Sequence, residues 1–248
     1  YDDSKQMEGK SQAAQISAIL AGLFTGEQSH RILDTFFPAP YGRAPEGITP
    51  WNNPTYLYRA LKVLSDHGLG HRAVEHLKWR MSYYLPFSAN NSTPRNLQGP
   101  LGGPLPEYFV THQELGLNPG EIATAQPQDP TGSHGWNAVA MQWMHDTLLG
   151  VTWEQTDDPG AKIQIQPQTF GLPYVSGHVM TPKGQVFVYW EPRLHQFEFT
   201  LPAGVEATVI LPRIGNGWHV MQKSESAIIE ETAKGVFIAR GEGDYTIR

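Results

Sequence analysis

The hydrophobic pattern of the chain changes its period once, and this change constrains the fold more than any other feature. Before about residue 155, apolar residues recur roughly every 3.6 positions, the spacing of one face of a helix. After the turn sequence DDPG at 157–160, apolar and polar residues alternate, as they do in a half-buried strand. The sequence therefore predicts a helical domain over residues 1–155 and a strand domain over residues 156–248.

Four segments of the first domain have a helical period. The apolar face of the first is formed by Ile16, Ile19, Leu20, Leu23 and Phe24. Three further helices are predicted over residues 53–68, 73–85 and 136–150. An Asn-Pro pair opens the second helix, a proline follows the third, and Gly150 ends the fourth. The short connection between the second and third helices predicts an antiparallel pair.

Eight strands are predicted in the second domain, each short and bounded by glycine or proline. They cover residues 162–166, 174–180, 185–190, 194–201, 207–211, 227–231, 236–240 and 245–248. In the fourth strand, Phe197, Phe199 and Leu201 would face one way and the polar residues between them the other. Short alternating strands at regular spacing indicate an antiparallel β-sandwich of the jelly-roll kind, so the predicted class is α+β.

Residues 86–133 separate the third and fourth helices and are rich in proline, glycine, asparagine and glutamine. An irregular connection of this length is uncommon inside a compact domain unless it carries a function. We therefore interpret residues 86–133 as an active-site loop rather than a linker.

Charge and composition exclude several classes of function. The formal net charge is −6, and no run of lysine and arginine is present that could neutralise a phosphate backbone, so nucleic acid is not an expected partner. No apolar run approaches the roughly 20 residues that span a bilayer, so no membrane partner is expected. No glycine-rich phosphate loop follows a predicted strand, and we expect no cofactor.

Three histidines, His67, His71 and His76, resemble a metal-binding group in spacing. Gly68 and Gly70 interrupt the helix between the first two, so they cannot share one helical face. The sequence predicts histidines solvated in a turn, and no metal site.

The long loop contains four carboxylates, and glycoside hydrolysis needs two. They are Glu107, Glu114, Glu121 and Asp129. In GGPLPEYF, proline and two aromatic residues flank Glu107, surroundings that limit water and raise the pKa of a carboxyl group. From the residues alone, Glu107 is a candidate acid or base, and a solvated role stays open.

The stretch GSHGW at 132–136 also allows two interpretations. In one, Ser133 caps a helix and Trp136 enters the core, with no functional role. In the other, His134 contacts a ligand at the wall of a site.

The order of these features resembles the C-terminal part of the α-L-rhamnosidase family of glycoside hydrolases. The resemblance is carried by GITPWNNPTYLYRALKVLSDHG (47–68), GSHGWNAVAMQWMHDTLLGV (132–151), GHVMTPKGQVFVYW (177–190) and LPAGVEATVILP (201–212). It implies that the helices are the end of an (α/α)₆ barrel and that a β-sandwich follows. It also implies a carbohydrate substrate with a terminal rhamnose-like sugar, cleaved with inversion.

The resemblance implies roles for particular residues. Glu107 is the first choice for the general base and Glu121 the second. His134 and Trp136 would border the rhamnose subsite, and Trp51 would add a stacking wall. The family's general acid comes from an earlier barrel segment that has no counterpart in these 248 residues.

Fewer helices precede the strands than six hairpins require, so we expect the chain to be a C-terminal fragment that pairs with a missing N-terminal part. A partial barrel would expose apolar faces that include Trp143 and Leu148. Two other interpretations stay open. The sandwich could be a non-catalytic module that binds sugar through exposed Tyr174, Trp190 or Trp218, or it could be purely structural.

Overall fold

A computed structural model of the chain describes residues 10–39, 44–49, 51, 55–82, 138–212, 217–233 and 235–248. They divide into two compact units, Tyr1–Ala140 and Met141–Arg248. The described α-helices are α1 (Gln12–Leu20), α2 (Gly26–Phe36), α3 (Thr55–Asp66), α4 (Gly70–Ser82) and α5 (Val139–Trp143), the last continued by a π-helical turn at Met144–Leu148.

The first helix is shorter than the sequence predicts, and a separate helix follows it. Helix α1 ends at Leu20, and Gly22 adopts a φ of 71°, which turns the chain away from the helix axis. Helix α2 then begins with a capping box, in which Gln28 N donates to Thr25 Oγ1 (3.3 Å) and Thr25 N donates to Gln28 Oε1 (2.9 Å). The prediction of one buried face is therefore wrong beyond Ile19, because Leu20 and Leu23 are 49% and 70% exposed.

Helices α3 and α4 pack against each other across a connection of residues 67–69, as the sequence predicts. The buried side of α3 consists of Leu57, Ala60, Leu61, Val63 and Leu64. Helix α1 also contacts α3, and Thr49 N donates to Lys10 O (2.8 Å), which ties the start of α1 to the chain before α3. Of the helices that the structure describes, none combines the length and apolar character needed to cross a bilayer.

The second unit contains ten described strands. They are β1 (Val151–Trp153), β2 (Lys162–Ile165), β3 (Val175–Thr181), β4 (Gly184–Glu191), β5 (Gln196–Leu201), β6 (Glu206–Ile210), β7 (Val220–Lys223), β8 (Ile228–Ala233), β9 (Val236–Arg240) and β10 (Gly243–Ile247). One five-stranded sheet has the order β1-β2-β6-β9-β8 and the other β3-β4-β5-β10-β7. Together they form the predicted β-sandwich.

Burial alternates along most of the strands but not along β8, so the alternating strands cover one face and expose the other. Strand β5 shows this most clearly, since Phe197, Phe199 and Leu201 are buried and the residues between them are partly exposed. Among the strands that the structure describes, every pair is antiparallel except β2 with β6, which run parallel with Ile163 opposite Ala207. This parallel pair departs from the fully antiparallel sandwich that the sequence predicts.

The predicted exposure of Trp143 and Leu148 is wrong. Trp143 is fully buried and Leu148 is 9% exposed. Trp143, the last residue of α5, stacks on Phe170, and Leu148 O at the end of the π-helical turn accepts a hydrogen bond from Gln168 N (3.1 Å). Residues just before β1 thus belong to the strand unit, although the sequence analysis places the boundary near residue 155.

Candidate functional site

Four of the five residues predicted to form a catalytic site lie outside the described residues. They are Glu107, Glu121, His134 and Trp136. The other loop carboxylates, Glu114 and Asp129, also lie outside them. Their roles stay predictions.

The fifth residue, Trp51, lies in the core of the helical unit. Its side chain is 2% exposed, and its ring contacts those of Phe37 and His76 edge-on, with centroids 5.8 Å and 6.3 Å apart. A ring covered in this way cannot stack on a sugar without a rearrangement. The structure therefore gives Trp51 no exposed face for the predicted stacking wall.

The histidines near the α3–α4 connection differ in their surroundings. His67 Nδ1 lies 2.8 Å from Val63 O, and its ring meets that of His30 edge-on at 5.5 Å. His76 is 1% exposed, so the prediction of a solvated turn histidine is wrong for this residue, which faces Phe37 from within α4. In the described part of the chain, no three His, Cys, Asp or Glu side chains are grouped to hold a metal ion.

The strand unit contains a cavity of about 410 Å³. It is lined by residues 166–170, Trp190, Pro192 and residues 210–212, so its walls come from the ends of β2, β4 and β6. Binding pockets for small molecules have volumes of roughly 300–1,000 Å³, which places this cavity toward the lower end of that range.

One wall of the cavity is fixed by backbone hydrogen bonds. Gln166 N donates to Gly150 O (2.9 Å), and Gln168 N donates to Leu148 O (3.1 Å). At Gly150, where φ is 70°, an added Cβ would lie 2.1 Å from the carbonyl carbon of Gln166. Only glycine permits this close approach, so the position of the wall is set before any ligand arrives.

A tight turn with an unusual backbone completes this wall. Leu172 N donates to Thr169 O (2.9 Å), and the two central residues both have positive φ, 48° at Phe170 and 90° at Gly171. Turns with two positive φ values favour asparagine and glycine. A bulky residue is uncommon in the left-handed region of φ/ψ space. Holding Phe170 there costs on the order of 1 kcal/mol.

The ring of Phe170 stacks on Trp143, with centroids 6.2 Å apart and the planes 16° from parallel. Trp143 is fully buried, and Phe170 is half-buried with part of its side chain facing the cavity. The stacking offsets the strain of the turn and fixes the direction of the Phe170 ring.

On another side, Trp190 of β4 lines the cavity with a side chain only 3% exposed. Its ring lies 5.7 Å from that of Trp218, whose Nε1 donates to Pro212 O (2.8 Å). This hydrogen bond holds residue 212, which also lines the cavity. The two tryptophans are buried, so neither is the exposed sugar platform that the sequence suggests.

The polar groups at the cavity are neutral. Its polar side chains belong to Gln166, Gln168 and Thr169, and none of the described residues that line it carries a charge. Gln168 is exposed, and Gln166 Oε1 accepts a hydrogen bond from Gln164 Nε2 (3.2 Å). The cavity combines aromatic surface with amide and hydroxyl groups, which suits a neutral ligand.

Tyr174, the third aromatic residue singled out from the sequence, lies on the outer face of the sandwich. It is 55% exposed and stacks on Tyr189, with centroids 6.0 Å apart. The pKa of Tyr189 is raised, first because its hydroxyl donates to the Glu191 carboxylate and then because of partial burial. The carboxylate of Glu198 raises it further.

Sequence reasoning identified Trp190 but missed the cavity wall at residues 166–170. A usable signal was the pair Phe170-Gly171 after a strand, because glycine marks a turn that needs positive φ. No local sequence pattern shows that Gln166 and Gln168 line a cavity, because their position there depends on how the ends of β2, β4 and β6 meet.

Comparison with known proteins addresses the strand unit most directly. Residues 151–225 match the family model described as the bacterial alpha-L-rhamnosidase C-terminal domain. Over these residues the strand unit is therefore similar to the C-terminal domain of bacterial alpha-L-rhamnosidases. This confirms, for that region, the resemblance inferred from the sequence. None of the curated proteins compared with the chain matches it.

Solved rhamnosidase structures share the fold over nearly the whole chain. The alpha-L-rhamnosidase from Dictyoglumus thermophilum matches 97% of this chain with a TM-score of 0.55 and 17% sequence identity. The enzyme from Aspergillus terreus matches 96% with a TM-score of 0.54 and 15% identity. The enzyme from Streptomyces avermitilis, solved with L-rhamnose, matches 97% with a TM-score of 0.52 and 15% identity.

These matches cover only part of each rhamnosidase structure. The chain spans 26%, 24% and 22% of the Dictyoglumus, Aspergillus and Streptomyces chains, respectively. At such identities the likeness establishes the fold, namely a helical part followed by a β-sandwich.

Proposed function

We propose that the chain is the C-terminal portion of a glycoside hydrolase that removes terminal α-L-rhamnosyl groups from glycosides or polysaccharides. The observation that carries the proposal is the match of residues 151–225 to the rhamnosidase C-terminal domain. Nearly the whole chain is similar to about a quarter of the length of solved rhamnosidases. This similarity supports the proposal, because the helical part then corresponds to the end of their barrel.

The proposed reaction is inverting hydrolysis. One carboxylic acid protonates the leaving oxygen while a carboxylate on the opposite face of the sugar activates water, with the two groups about 6.5–9.5 Å apart. In this proposal Glu107 is the general base and Glu121 the second choice. The general acid comes from the N-terminal portion of the enzyme, so the 248 residues alone would not complete the catalytic pair.

The sugar subsite follows from the same proposal. His134 would donate or accept a hydrogen bond with a rhamnose hydroxyl, and Trp136 would cover an apolar face of the ring. Both residues precede α5, whose start would then lie at the mouth of the site. The partners are a carbohydrate substrate and the N-terminal portion, with no cofactor or metal.

An activity assay tests the proposal. The chain is combined with the N-terminal portion, and hydrolysis of an aryl α-L-rhamnoside is followed for the wild type, Glu107→Gln and Glu121→Gln. Loss of a general base lowers kcat by about 10²–10⁴-fold, so we expect this loss in Glu107→Gln and near wild-type activity in Glu121→Gln. The reverse pattern would transfer the role to Glu121, and unchanged activity in both variants would exclude the two assignments.

The anomer that is released provides a further check. An inverting enzyme acting on an α-L-rhamnoside releases β-L-rhamnose first, which proton NMR detects before mutarotation. Initial release of the α anomer would contradict the proposed reaction.

A further inference from the structure

The cavity of the strand unit lies apart, along the sequence, from every residue proposed for catalysis. Its described lining comes entirely from residues 166–212, whereas the proposed catalytic and subsite residues come from the first 136. The proposed reaction therefore gives this cavity no role. Its size, its fixed wall and its mixture of aromatic and amide groups call for a separate explanation.

We propose that the cavity is a non-catalytic binding site for a neutral sugar of mono- or disaccharide size, held against the half-buried ring of Phe170 and hydrogen-bonded by Gln166, Gln168 and Thr169.

The chemistry of the lining selects this class of ligand. Sugar rings have apolar C–H faces that pack on aromatic side chains, and hydroxyl groups that need both donors and acceptors. A glutamine amide supplies both kinds of group, and so does a threonine hydroxyl. Phosphorylated or carboxylated ligands are disfavoured because the described lining has no cation to pair with them.

The rigidity of the wall supports binding rather than a chance gap between strands. Backbone hydrogen bonds from Gln166 and Gln168, together with the Phe170–Trp143 stack, hold the wall in place. A preformed site loses little conformational entropy when a ligand enters. The positive φ of Phe170 also supports a binding role for this wall, since strained backbone conformations are concentrated at functional sites.

The volume limits the size of the ligand. A cavity of about 410 Å³ can hold a small saccharide, but it is too small to enclose a long oligosaccharide chain. Because the cavity is partly open, a longer glycan could place one terminal unit inside. The site would then hold a carbohydrate polymer near the enzyme while the catalytic site acts elsewhere.

The test measures sugar binding by the complete 248-residue chain. L-Rhamnose, D-glucose and D-galactose are added at millimolar concentrations, with D-glucuronate as the charged control, and binding is followed by saturation-transfer NMR and by tryptophan fluorescence. We expect at least one neutral sugar to bind and D-glucuronate to bind more weakly.

Two variants and one matched control test whether binding occurs in the cavity. Ile210→Phe places a larger side chain in the lining and should abolish binding. Thr208→Phe is the matched control, because Thr208 lies two residues earlier on the same strand, is likewise half-buried and does not line the cavity. Gln168→Ala removes an exposed side chain that the fold does not need, and should weaken binding about three- to tenfold.

A further variant excludes a competing location. Tyr174→Ala tests the outer tyrosine face and should leave the affinity for D-glucose and D-galactose unchanged. Ile210→Phe should lower sugar affinity without the loss of hydrolysis that Glu107→Gln is expected to cause, so failure of this inference and failure of the proposed hydrolase are distinguishable. The proposal is overturned if no neutral sugar binds, if affinity survives both Ile210→Phe and Gln168→Ala, or if Tyr174→Ala abolishes it.

Discussion

Trp143 and Phe170 stack nearly in parallel, with ring centroids 6.2 Å apart, and this contact joins the end of the last helix to the turn after β2. Trp143 is fully buried, whereas Phe170 occupies a backbone conformation that bulky residues seldom adopt. The stack thus compensates for the strain and fixes one wall of the cavity.

Substitutions at Phe170 separate the ring contact from the backbone strain. Phe170→Ala loses the stack but keeps a Cβ at positive φ, and should lower the free energy of unfolding by about 2–3 kcal/mol. Phe170→Gly also loses the stack but relaxes the backbone, so it should be more stable than Phe170→Ala by about 1 kcal/mol.

Urea unfolding followed by circular dichroism measures both Phe170 variants. Phe187→Ala is the control, because Phe187 is likewise half-buried but lies in a regular strand. At this position the Phe187→Gly protein should be less stable than the Phe187→Ala protein, because glycine weakens most strands. If Phe170→Gly is also less stable than Phe170→Ala, the backbone at this turn is not strained.

Gly150 is predicted to tolerate no side chain. Its φ is 70°, and an added Cβ would lie 2.1 Å from the carbonyl carbon of Gln166, so Gly150→Ala must displace the cavity wall. We expect a loss of about 3 kcal/mol or more in the free energy of unfolding. Gly204→Ala is the matched control, since Gly204 has a φ of 75° with open space around it, and should cost only about 1 kcal/mol. Equal losses in a thermal unfolding assay would contradict the close approach.

Because Tyr245 is buried, we expect the free energy of unfolding to fall at alkaline pH. Burial raises the pKa of Tyr245, and its hydroxyl lies within hydrogen-bonding distance of Arg240 O (2.6 Å) and Gly241 O (2.8 Å). The folded state therefore holds this proton more tightly than the unfolded state does. The stabilisation is complete below the unfolded pKa, about 10, and is lost as the pH rises through the raised folded-state value.

Urea midpoints measured between pH 8 and 11 test this dependence. The midpoint of the wild type should fall toward the alkaline end, and that of Tyr245→Phe should fall less. Near pH 8 the variant should be less stable than the wild type by about 1 kcal/mol, because the hydroxyl hydrogen bond is lost. Parallel curves for the two proteins would mean that another group causes the decline.

Strands with an alternating apolar pattern could be predicted from the sequence, including the four-residue β2, but two short edge strands could not. Strand β5 is predicted because three large apolar residues alternate with polar ones over its length. Strand β1 has only three residues, too few to show a period, and β7 was missed because its VMQK sequence does not alternate clearly. Both are edge strands, placed by pairing with β2 and β10.

The helical errors have a similar cause. Leu20 and Leu23 continue the apolar spacing of α1, but Gly22 and the Thr25–Gln28 capping box end one helix and begin another. Local capping overrides periodicity here, and the T-x-x-Q signal was available in the sequence. The burial of Trp143 could not be predicted, because it depends on Phe170, which lies in a turn 27 positions later.

The most direct test of the central claim compares the rate of aryl α-L-rhamnoside hydrolysis by the chain alone, by the N-terminal portion alone and by the two together. The proposal predicts that neither part is active alone and that the combination exceeds either by at least about 10²-fold, since each part supplies one of the two carboxyl groups. Full activity of the chain alone, or no activity in the combination when both parts are folded, would contradict it.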